Sequence, residues 1–210
     1  MTDQDLIERI IELERDVERL NARPELYTAF EDVRVPLAAT KKGGLSDPDF
    51  VQFQDNGAAS TGVYVWAFDP GGEEEMFFEC QILHAYREGT TIYPHVHWAP
   101  DGNGGAGDVV SWGLEYTWAN IGGDFGNTTI ISANAHTPAD AALVGDRHYL
   151  TSLPVIVGAG KTISSMLSCR IFRDAAGVLR VDDYANDAFL LEIDFHVEFN
   201  SLGSRTELVK

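Results

Sequence analysis

The sequence predicts an all-β fold, an antiparallel jelly-roll-like sandwich preceded by a short N-terminal α-helical coiled coil. From about Phe50 onward, short segments of alternating apolar and polar residues are separated by turns rich in glycine, aspartate and proline. Because no helical periodicity alternates with these segments, a parallel α/β fold is not expected. Eight or nine antiparallel strands suit a jelly-roll sandwich.

The N-terminal domain, residues 1–23, is predicted to be a coiled-coil stem. Its apolar residues repeat with spacings of 4, 3, 4 and 3, which is the heptad pattern of a narrow helical seam. The seam residues are Leu6, Ile10, Leu13, Val17 and Leu20. Arg9 and Glu14 flank this seam in a pattern that resembles the short trimerisation motif of natural coiled coils, so a homotrimer is expected. An amphipathic helix packed on its own domain is the alternative.

Residues 24–48 are interpreted as a linker or arm, and residues 49–210 as the β-sandwich domain. Val33, Val35 and Leu37 alternate with other residues in the arm, but Pro36 lies inside this run and allows an edge strand at most. The strands predicted in the sandwich are 50–54, 61–68, 76–84, 91–98, 109–118, 128–134, 147–156, 162–172 and 189–199.

Composition limits the classes of partner. The chain carries 33 acidic and 15 basic residues, a formal net charge of −18, so it lacks the positive footprint that binds nucleic acids or anionic membranes. No apolar run approaches the roughly 20 residues of a membrane span, and the acidic N-terminus does not resemble a signal peptide. Cys80 and Cys169 lie in apolar, strand-like segments and are expected to be buried free thiols.

Two histidines lie in the segment that most invites chemistry. His95 and His97 are separated by one residue, so on a strand they project to the same face, as metal ligands do. Together with Gly89 and Asp101 they resemble the first motif of cupins, which are jelly rolls that bind iron, manganese or zinc. That resemblance implies a metal site inside the sandwich. Cupins usually carry glutamate where Asp101 stands, and their second motif has no counterpart in this sequence.

The neighbouring residues favour a different placement of this pair. Val96 and Trp98 form the apolar face of the segment, so His95 and His97 are predicted to point outward. Outward histidines could be structural or interfacial, or could bind a metal between copies on a threefold axis. We expect no tightly bound metal and no other cofactor. The remaining histidines, expected to be solvated or locally hydrogen-bonded, are His84, His136, His148 and His196.

Catalysis is not expected from the sequence. The nucleophile motif Gly-x-Ser-x-Gly is absent, and neither cysteine lies beside a histidine in a polar segment. Paired carboxylates of the glycosidase kind cannot be recognised from their spacing in a sandwich. The chain is therefore expected to be a binding or structural protein.

A short heptad stem, an arm, a β-sandwich and strong acidity together resemble the virion proteins of tailed bacteriophages, in particular trimeric capsid decoration, or cement, proteins and small head fibres. Segments 88–98 and 112–118 are also similar to parts of such proteins. The resemblance implies a homotrimer assembled in the host cytoplasm that becomes part of the virion and bridges subunits of the major capsid protein. The alternative is a tail or head fibre that recognises host-surface glycans. A cupin-like metalloprotein is the third hypothesis.

Overall fold

Two antiparallel sheets and one N-terminal helix make up the protein, in a computed structural model that describes residues 3–21, 28–134, 141–204 and 206–207. The helix α1 spans Asp3–Asn21. The strands are β1 (Ala29–Val35), β2 (Lys41–Lys42), β3 (Asp49–Gln54), β4 (Val63–Phe68), β5 (Glu74–Gln81), β6 (Tyr93–Pro100), β7 (Ser111–Ala119), β8 (Thr129–Asn134), β9 (Tyr149–Ser152), β10 (Met166–Arg173) and β11 (Ala188–Phe199). The predicted all-β sandwich is confirmed.

The order of the strands is that of a jelly roll. The first sheet runs β3-β4-β11-β6-β9, with β1 also paired to β11, and the second runs β2-β5-β10-β7-β8. In both sheets a late strand, β11 or β10, lies between two early ones. Eight strands, four from each sheet, therefore form the paired Greek keys of a jelly roll, and β1, β2 and β3 extend its edges.

Each of the nine sandwich segments predicted from the sequence contains one strand, and the differences lie at strand ends. The largest is in segment 147–156, where β9 is a strand over Tyr149–Ser152 alone. Leu153 still donates its N–H to the carbonyl of Pro94, but Pro154 has no N–H to continue the ladder. The alternation of the sequence thus extends past the point at which regular pairing ends.

Part of the predicted arm belongs to the sandwich. β1 pairs in antiparallel register with β11, from Ala29 opposite Phe199 to Val35 opposite Ile193. Val33 and Val35 are buried in the core, and β2 adds a short edge beside β5. The boundary drawn at residue 48 therefore separates β1 and β2 from the strands with which they pair, β11 and β5.

The core lies between the two sheets and is rich in aromatic side chains. Trp98 of β6 and Trp112 of β7 are fully buried, and their ring centroids are 6.4 Å apart in an edge-to-face arrangement. Along β11, alternate residues Ile193, Phe195 and Val197 enter this core. The intervening polar residues of β11 consequently face away from it.

The two cysteines, Cys80 of β5 and Cys169 of β10, are free and buried, as predicted. Burial raises the pKa of the Cys80 thiol to about 12, and burial also raises the pKa of the Cys169 thiol. A thiol that stays protonated is a poor nucleophile and a poor metal ligand. Both cysteines therefore act as small apolar core residues.

The predicted N-terminal helix is confirmed as α1, and its role as a coiled-coil stem that associates with other copies stays a prediction. Leu6, Ile10, Leu13 and Val17 are each 47–54% exposed, and the side chain of Leu20 lies outside the described residues. Among the described residues, no helix has the length and apolar character needed to cross a membrane.

Gly158, in the connection between β9 and β10, is packed against the backbone of the turn around Thr90. A Cβ atom at this position would overlap the carbonyl oxygen of Thr90 and the hydroxyl of Tyr86, and this hydroxyl donates to the same carbonyl. We expect Gly158→Ala to lower the free energy of unfolding by about 1–3 kcal/mol, since overpacking forces the backbone to move. The fall in Tm measured by calorimetry should be roughly 2–12 °C.

Gly72 provides the control for this substitution, because a Cβ atom there would meet nothing within 4 Å. Gly72→Ala should leave Tm unchanged or raise it slightly, since alanine restricts the unfolded chain. Equal Tm values for the two variants would contradict this prediction, because the backbone around Thr90 would then move to admit the Cβ atom without loss of stability.

Candidate functional site

The outer face of the first sheet carries His95 and His97, the pair that the sequence singled out. Val96 and Trp98, on the opposite face of β6, are fully buried in the core. The side chains of His95 and His97 are 20% and 22% exposed on the outer face. The predicted outward facing is therefore correct, and it is incompatible with a cupin-like site inside the sandwich for this pair.

Strand register brings further polar side chains to the same face. In the ladder between β11 and β6, Asp194 is the partner of His95, and in the ladder between β1 and β11, Asp32 is the partner of His196. Partners in register lie on the same face of a sheet. A histidine–aspartate cluster results, formed by Asp32, His95, His97, His148, Asp194 and His196.

Asp194 is hydrogen-bonded to both histidines of β6 and is only 2% exposed. Its Oδ1 lies 3.1 Å from His95 Nδ1, and its Oδ2 lies 2.8 Å from His97 Nε2. An ionised carboxylate accepts hydrogen bonds and does not donate them, so both ring nitrogens are N–H donors. His97 Nδ1 is 2.8 Å from Nε2 of His148, and with the proton of His97 on Nε2 this Nδ1 accepts a hydrogen bond from the N–H of His148.

Next to Asp194, a further hydrogen bond joins His196 and Asp32. His196 Nδ1 and Asp32 Oδ1 are 2.6 Å apart, and the ring centroids of His95 and His196 are 5.8 Å apart. The hydrogen bond to Asp194 raises the pKa of His95, against the effect of burial. Asp32, His95 and Asp194 can each present one ligand atom within 4.8 Å of the others. Of the two histidines singled out from the sequence, His95 belongs to this group of three and His97 does not.

An open cleft of about 400 Å³ adjoins the cluster. Its lining residues are Phe30, Tyr93, His95, Ser152, Leu153 and His196. Phe30 stacks on the imidazole of His196 with a centroid distance of 5.0 Å and meets Tyr93 edge-on at 6.0 Å. Phe30 is 48% exposed and Tyr93 is 37% exposed. The cleft thus combines accessible aromatic rings with hydrogen-bonding groups that are already fixed in place.

A second exposed aromatic surface lies at the edge of the first sheet, on β3 and β4. Phe50 contacts Trp66 and Tyr64 at centroid distances of 4.7 Å and 5.5 Å. Phe50 and Tyr64 are exposed, and the ammonium group of Lys42 lies 5.0 Å from the Trp66 ring centroid. This surface therefore combines aromatic area with an oriented amide, that of Gln52, the ladder partner of Tyr64, which donates to the carbonyl of Thr61.

The predicted oligomerisation residues lie apart from the cluster, on α1. Arg9 forms an ion pair of 2.9 Å with Glu12 of the same helix, and Glu14 is exposed. Ile10, Leu13, Glu14 and Val17 line an open apolar groove along the helix. The geometry of α1 is that of a helix with an uncovered apolar seam.

Sequence reasoning missed four members of the cluster. His148 and His196 were expected to be solvated or locally bonded, and Asp32 and Asp194 were not singled out. Alternation along β11 indicated which face carries Asp194 and His196, but no local signal indicated that β6 and β1 are its neighbours. Of the other two histidines, His84 lies between the hydroxyls of Ser164 and Ser204, and His136 lies outside the described residues.

No family profile and no curated protein sequence matches the chain. Among solved structures, TmCBM61 in complex with β-1,4-galactotriose has 12% identity and a TM-score of 0.33, over 83% of this chain and 90% of that chain. TmCBM27, a carbohydrate-binding module studied for mannan recognition, has 14% identity and a TM-score of 0.35, over 81% and 98%. The CBM22-1 and GH10 modules of a Clostridium thermocellum endo-1,4-β-D-xylanase, complexed with xylohexaose, have 11% identity and a TM-score of 0.31, over 68% and 26%. The likeness is one of fold alone.

Proposed function

We propose that the chain is a non-catalytic glycan-binding protein that α1 displays in several copies, and that the cleft beside Phe30 and Tyr93 is its binding site. The observation that carries the proposal is the combination of exposed aromatic rings and fixed polar side chains in one open cleft. Clefts of a few hundred Å³ with apolar walls and a few placed polar groups are usual ligand sites. The fold alone would not indicate this function, since jelly rolls include lectins, capsid proteins and cupins.

The chemistry of the cleft matches the two surfaces of a sugar. A pyranose ring presents C–H groups on its faces and hydroxyl groups on its rim. Phe30 and Tyr93 offer aromatic surface for the C–H groups. The imidazoles of His95 and His196 and the hydroxyl of Ser152 offer donors and acceptors for the hydroxyl groups. A glycan could therefore be held by stacking and by hydrogen bonds at the same time.

The polar groups of the cleft are held before a ligand arrives. Asp194 orients His95, while Asp32 and the ring of Phe30 orient His196 from two sides. Side chains fixed in this way lose little conformational entropy when they bind. Because the imidazoles of His95 and His196 are already held in place, binding a ligand would not require free energy to immobilise them, and this supports a binding role.

The charge of the protein limits the class of glycan. The net charge is −18, and the cleft itself is bordered by the carboxylates of Asp32 and Asp194. Anionic sugars would be repelled by this field, whereas neutral sugars and sugars with free amino groups would not. Neutral hexoses and amino sugars are therefore the proposed ligands.

A second candidate, capsid decoration by a homotrimer, is supported by the uncovered seam of α1 together with strong acidity. In that role the trimer would contact the major capsid protein and stabilise the assembled shell, since binding to the assembled state alone favours it. Glycan binding by the isolated protein separates the two candidates, because decoration requires no such activity.

The test of the glycan proposal is a glycan array probed with the full chain and with two tyrosine variants. Tyr93→Ala should weaken binding to the preferred glycan about tenfold or more, as truncation of an aromatic anchor does. Tyr64→Ala removes a comparably exposed tyrosine from the second aromatic surface and should leave binding unchanged. Loss of binding in Tyr64→Ala with retention in Tyr93→Ala would move the site to β3 and β4, and no binding by the unmodified chain would refute the proposal.

A further inference from the structure

Three side chains on the outer face of the first sheet combine the donor types that a transition metal prefers. Asp32, His95 and Asp194 supply two carboxylates and one imidazole, from three adjacent strands, with ligand atoms within 4.8 Å of one another. We propose that these three residues bind a divalent transition-metal ion of the Zn²⁺ class beside the cleft. The expectation of no metal, drawn from sequence, rested on His95 and His97 without the two carboxylates.

Two of the three residues, His95 and Asp194, are spaced much as the ligands of a bound metal ion are, and the ligand atom of Asp32 lies within 4.8 Å of both. His95 Nδ1 and Asp194 Oδ1 are 3.1 Å apart. Two ligands of a tetrahedral Zn²⁺ ion, with bonds of about 2.0–2.1 Å, are separated by roughly 3.3 Å. An ion could therefore replace the hydrogen bond between these atoms with little movement, while neutral His95 carries its proton on Nε2 instead.

Each carboxylate of the group is oriented by a histidine outside it. His97 Nε2 donates to Oδ2 of Asp194 at 2.8 Å, which leaves Oδ1 on the side of His95. His196 Nδ1 lies 2.6 Å from Oδ1 of Asp32, which leaves the other oxygen of Asp32 available. Metal ligands are commonly held by such outer hydrogen bonds, which fix their orientation and strengthen them as ligands.

The burial of Asp194 gives a separate electrostatic reason for a cation. Asp194 is 2% exposed, and in the described part of the chain its side-chain hydrogen bonds go to His95 and His97. Arg34, its partner in the ladder of β1 and β11, is bound to Glu192 through both of its carboxylate oxygens. A buried carboxylate has lost most of its contact with water, and a divalent ion beside Asp194 would replace part of that lost stabilisation.

The donor set also selects among metals. Ca²⁺ takes six to eight oxygen ligands, and this group offers three ligands of which one is a nitrogen. A mixed imidazole and carboxylate set suits Zn²⁺ and its neighbours in the first transition series. Three protein ligands leave one tetrahedral position open for water or for a group of a bound molecule.

The experiment is calorimetric titration of Zn²⁺ into the full chain after chelation and removal of the chelator, without any sugar present. We expect one ion per chain with a Kd in the micromolar range or tighter. Asp32→Asn and His95→Gln should each weaken binding at least about 100-fold, and His97→Gln about 10–100-fold as an outer-shell residue. His84→Gln alters a histidine bonded to two serines elsewhere and should bind like the unmodified chain.

Circular dichroism and Tm identify any variant that fails to fold, and Asp32→Asn remains decisive because its side chain is 46% exposed. The proposal is overturned if the unmodified chain shows no binding at about 100 μM Zn²⁺, or if Asp32→Asn and His95→Gln bind like His84→Gln. Because sugar is absent from the titration and metal from the glycan array, this failure and failure of the glycan proposal are separate outcomes.

Discussion

Replacing Arg173 with alanine should lower the free energy of unfolding by about 3–5 kcal/mol, the cost of breaking a buried ion pair from one side. Arg173 is fully buried. Its guanidinium donates to both carboxylate oxygens of Asp182, at 2.8 Å and 3.0 Å, and to the carbonyls of Phe68, Tyr184 and Asn186 at 2.7–2.9 Å. All five N–H donors of the guanidinium are thus used.

Arg173→Ala would also affect groups other than the ion pair between Arg173 and Asp182. In Arg173→Ala the carboxylate of Asp182, of which 1% of the side chain is exposed, would lose its cation, and three carbonyls would lose their donors. Asp182 also accepts the backbone N–H of Ser111, so the connection from β10 to β11 and the start of β7 would both be affected. Chemical denaturation should report the loss, with a fall in Tm of roughly 6–20 °C.

Arg87→Ala is the matched control for this substitution. Arg87 pairs with Glu198 at 2.5 Å, but its side chain is 47% exposed, and exposed ion pairs contribute about 0–1 kcal/mol. A double substitution at Arg173 and Asp182 should cost less than the sum of the single ones, because the second change removes a group that the first left unpaired. Equal effects of Arg87→Ala and Arg173→Ala would contradict the assignment of Arg173 as the anchor of this connection.

Those features of the fold that depend on local sequence patterns could be predicted. Alternation along β7 and β11 identified the strands and the buried faces, because side-chain direction in a strand depends on neighbours in sequence. Pro36 and a short apolar run allowed an edge strand in the arm, and β1 is such a strand among the described residues, but its partner could not be predicted. Its seven pairs with β11 join residues more than 150 positions apart.

The site was less predictable than the fold, for the same physical reason. The facing of His95 and His97 followed from Val96 and Trp98, but the carboxylate between them comes from Asp194, at a separation of 99 residues from His95. The burial of Arg173 could not be predicted either, because arginine is mostly exposed in proteins and because four of its five acceptor atoms lie in an irregular connection, on Asp182, Tyr184 and Asn186. Charge networks depend on which strands become neighbours, and periodicity carries no information on that choice.

The helix α1 poses a question that one chain cannot answer, since Ile10 and Ile11 are almost equally exposed, at 48% and 43%. In an isolated helix these neighbours are equivalent surface residues. In the predicted coiled coil, Ile10 occupies an a position of the seam and Ile11 a b position on the outside. Two variants with the same substitution, one at Ile10 and one at Ile11, therefore test whether the chain forms the trimer, and no part of the chain needs to be deleted.

Ile10→Asp should convert the predicted trimer, about 69 kDa for three chains of 23.1 kDa, into monomers, because three carboxylates would meet in one layer of the seam. Ile11→Asp adds the same charge and a similar loss of helix propensity but should remain trimeric. Light scattering after size exclusion gives the mass. On a glycan-coated surface Ile10→Asp should also lose roughly 10²–10⁴-fold in apparent affinity, since multivalent attachment would be gone.

One outcome would contradict the seam, and another would contradict its role in multivalent binding. If the unmodified chain is a monomer, or if Ile10→Asp and Ile11→Asp dissociate it equally, the heptad spacing does not define an interface. If Ile10→Asp is monomeric and yet binds the glycan surface as tightly as the trimer, the cleft acts alone. The helix would then hold the trimer together without contributing to glycan binding, which is compatible with the capsid-decoration alternative.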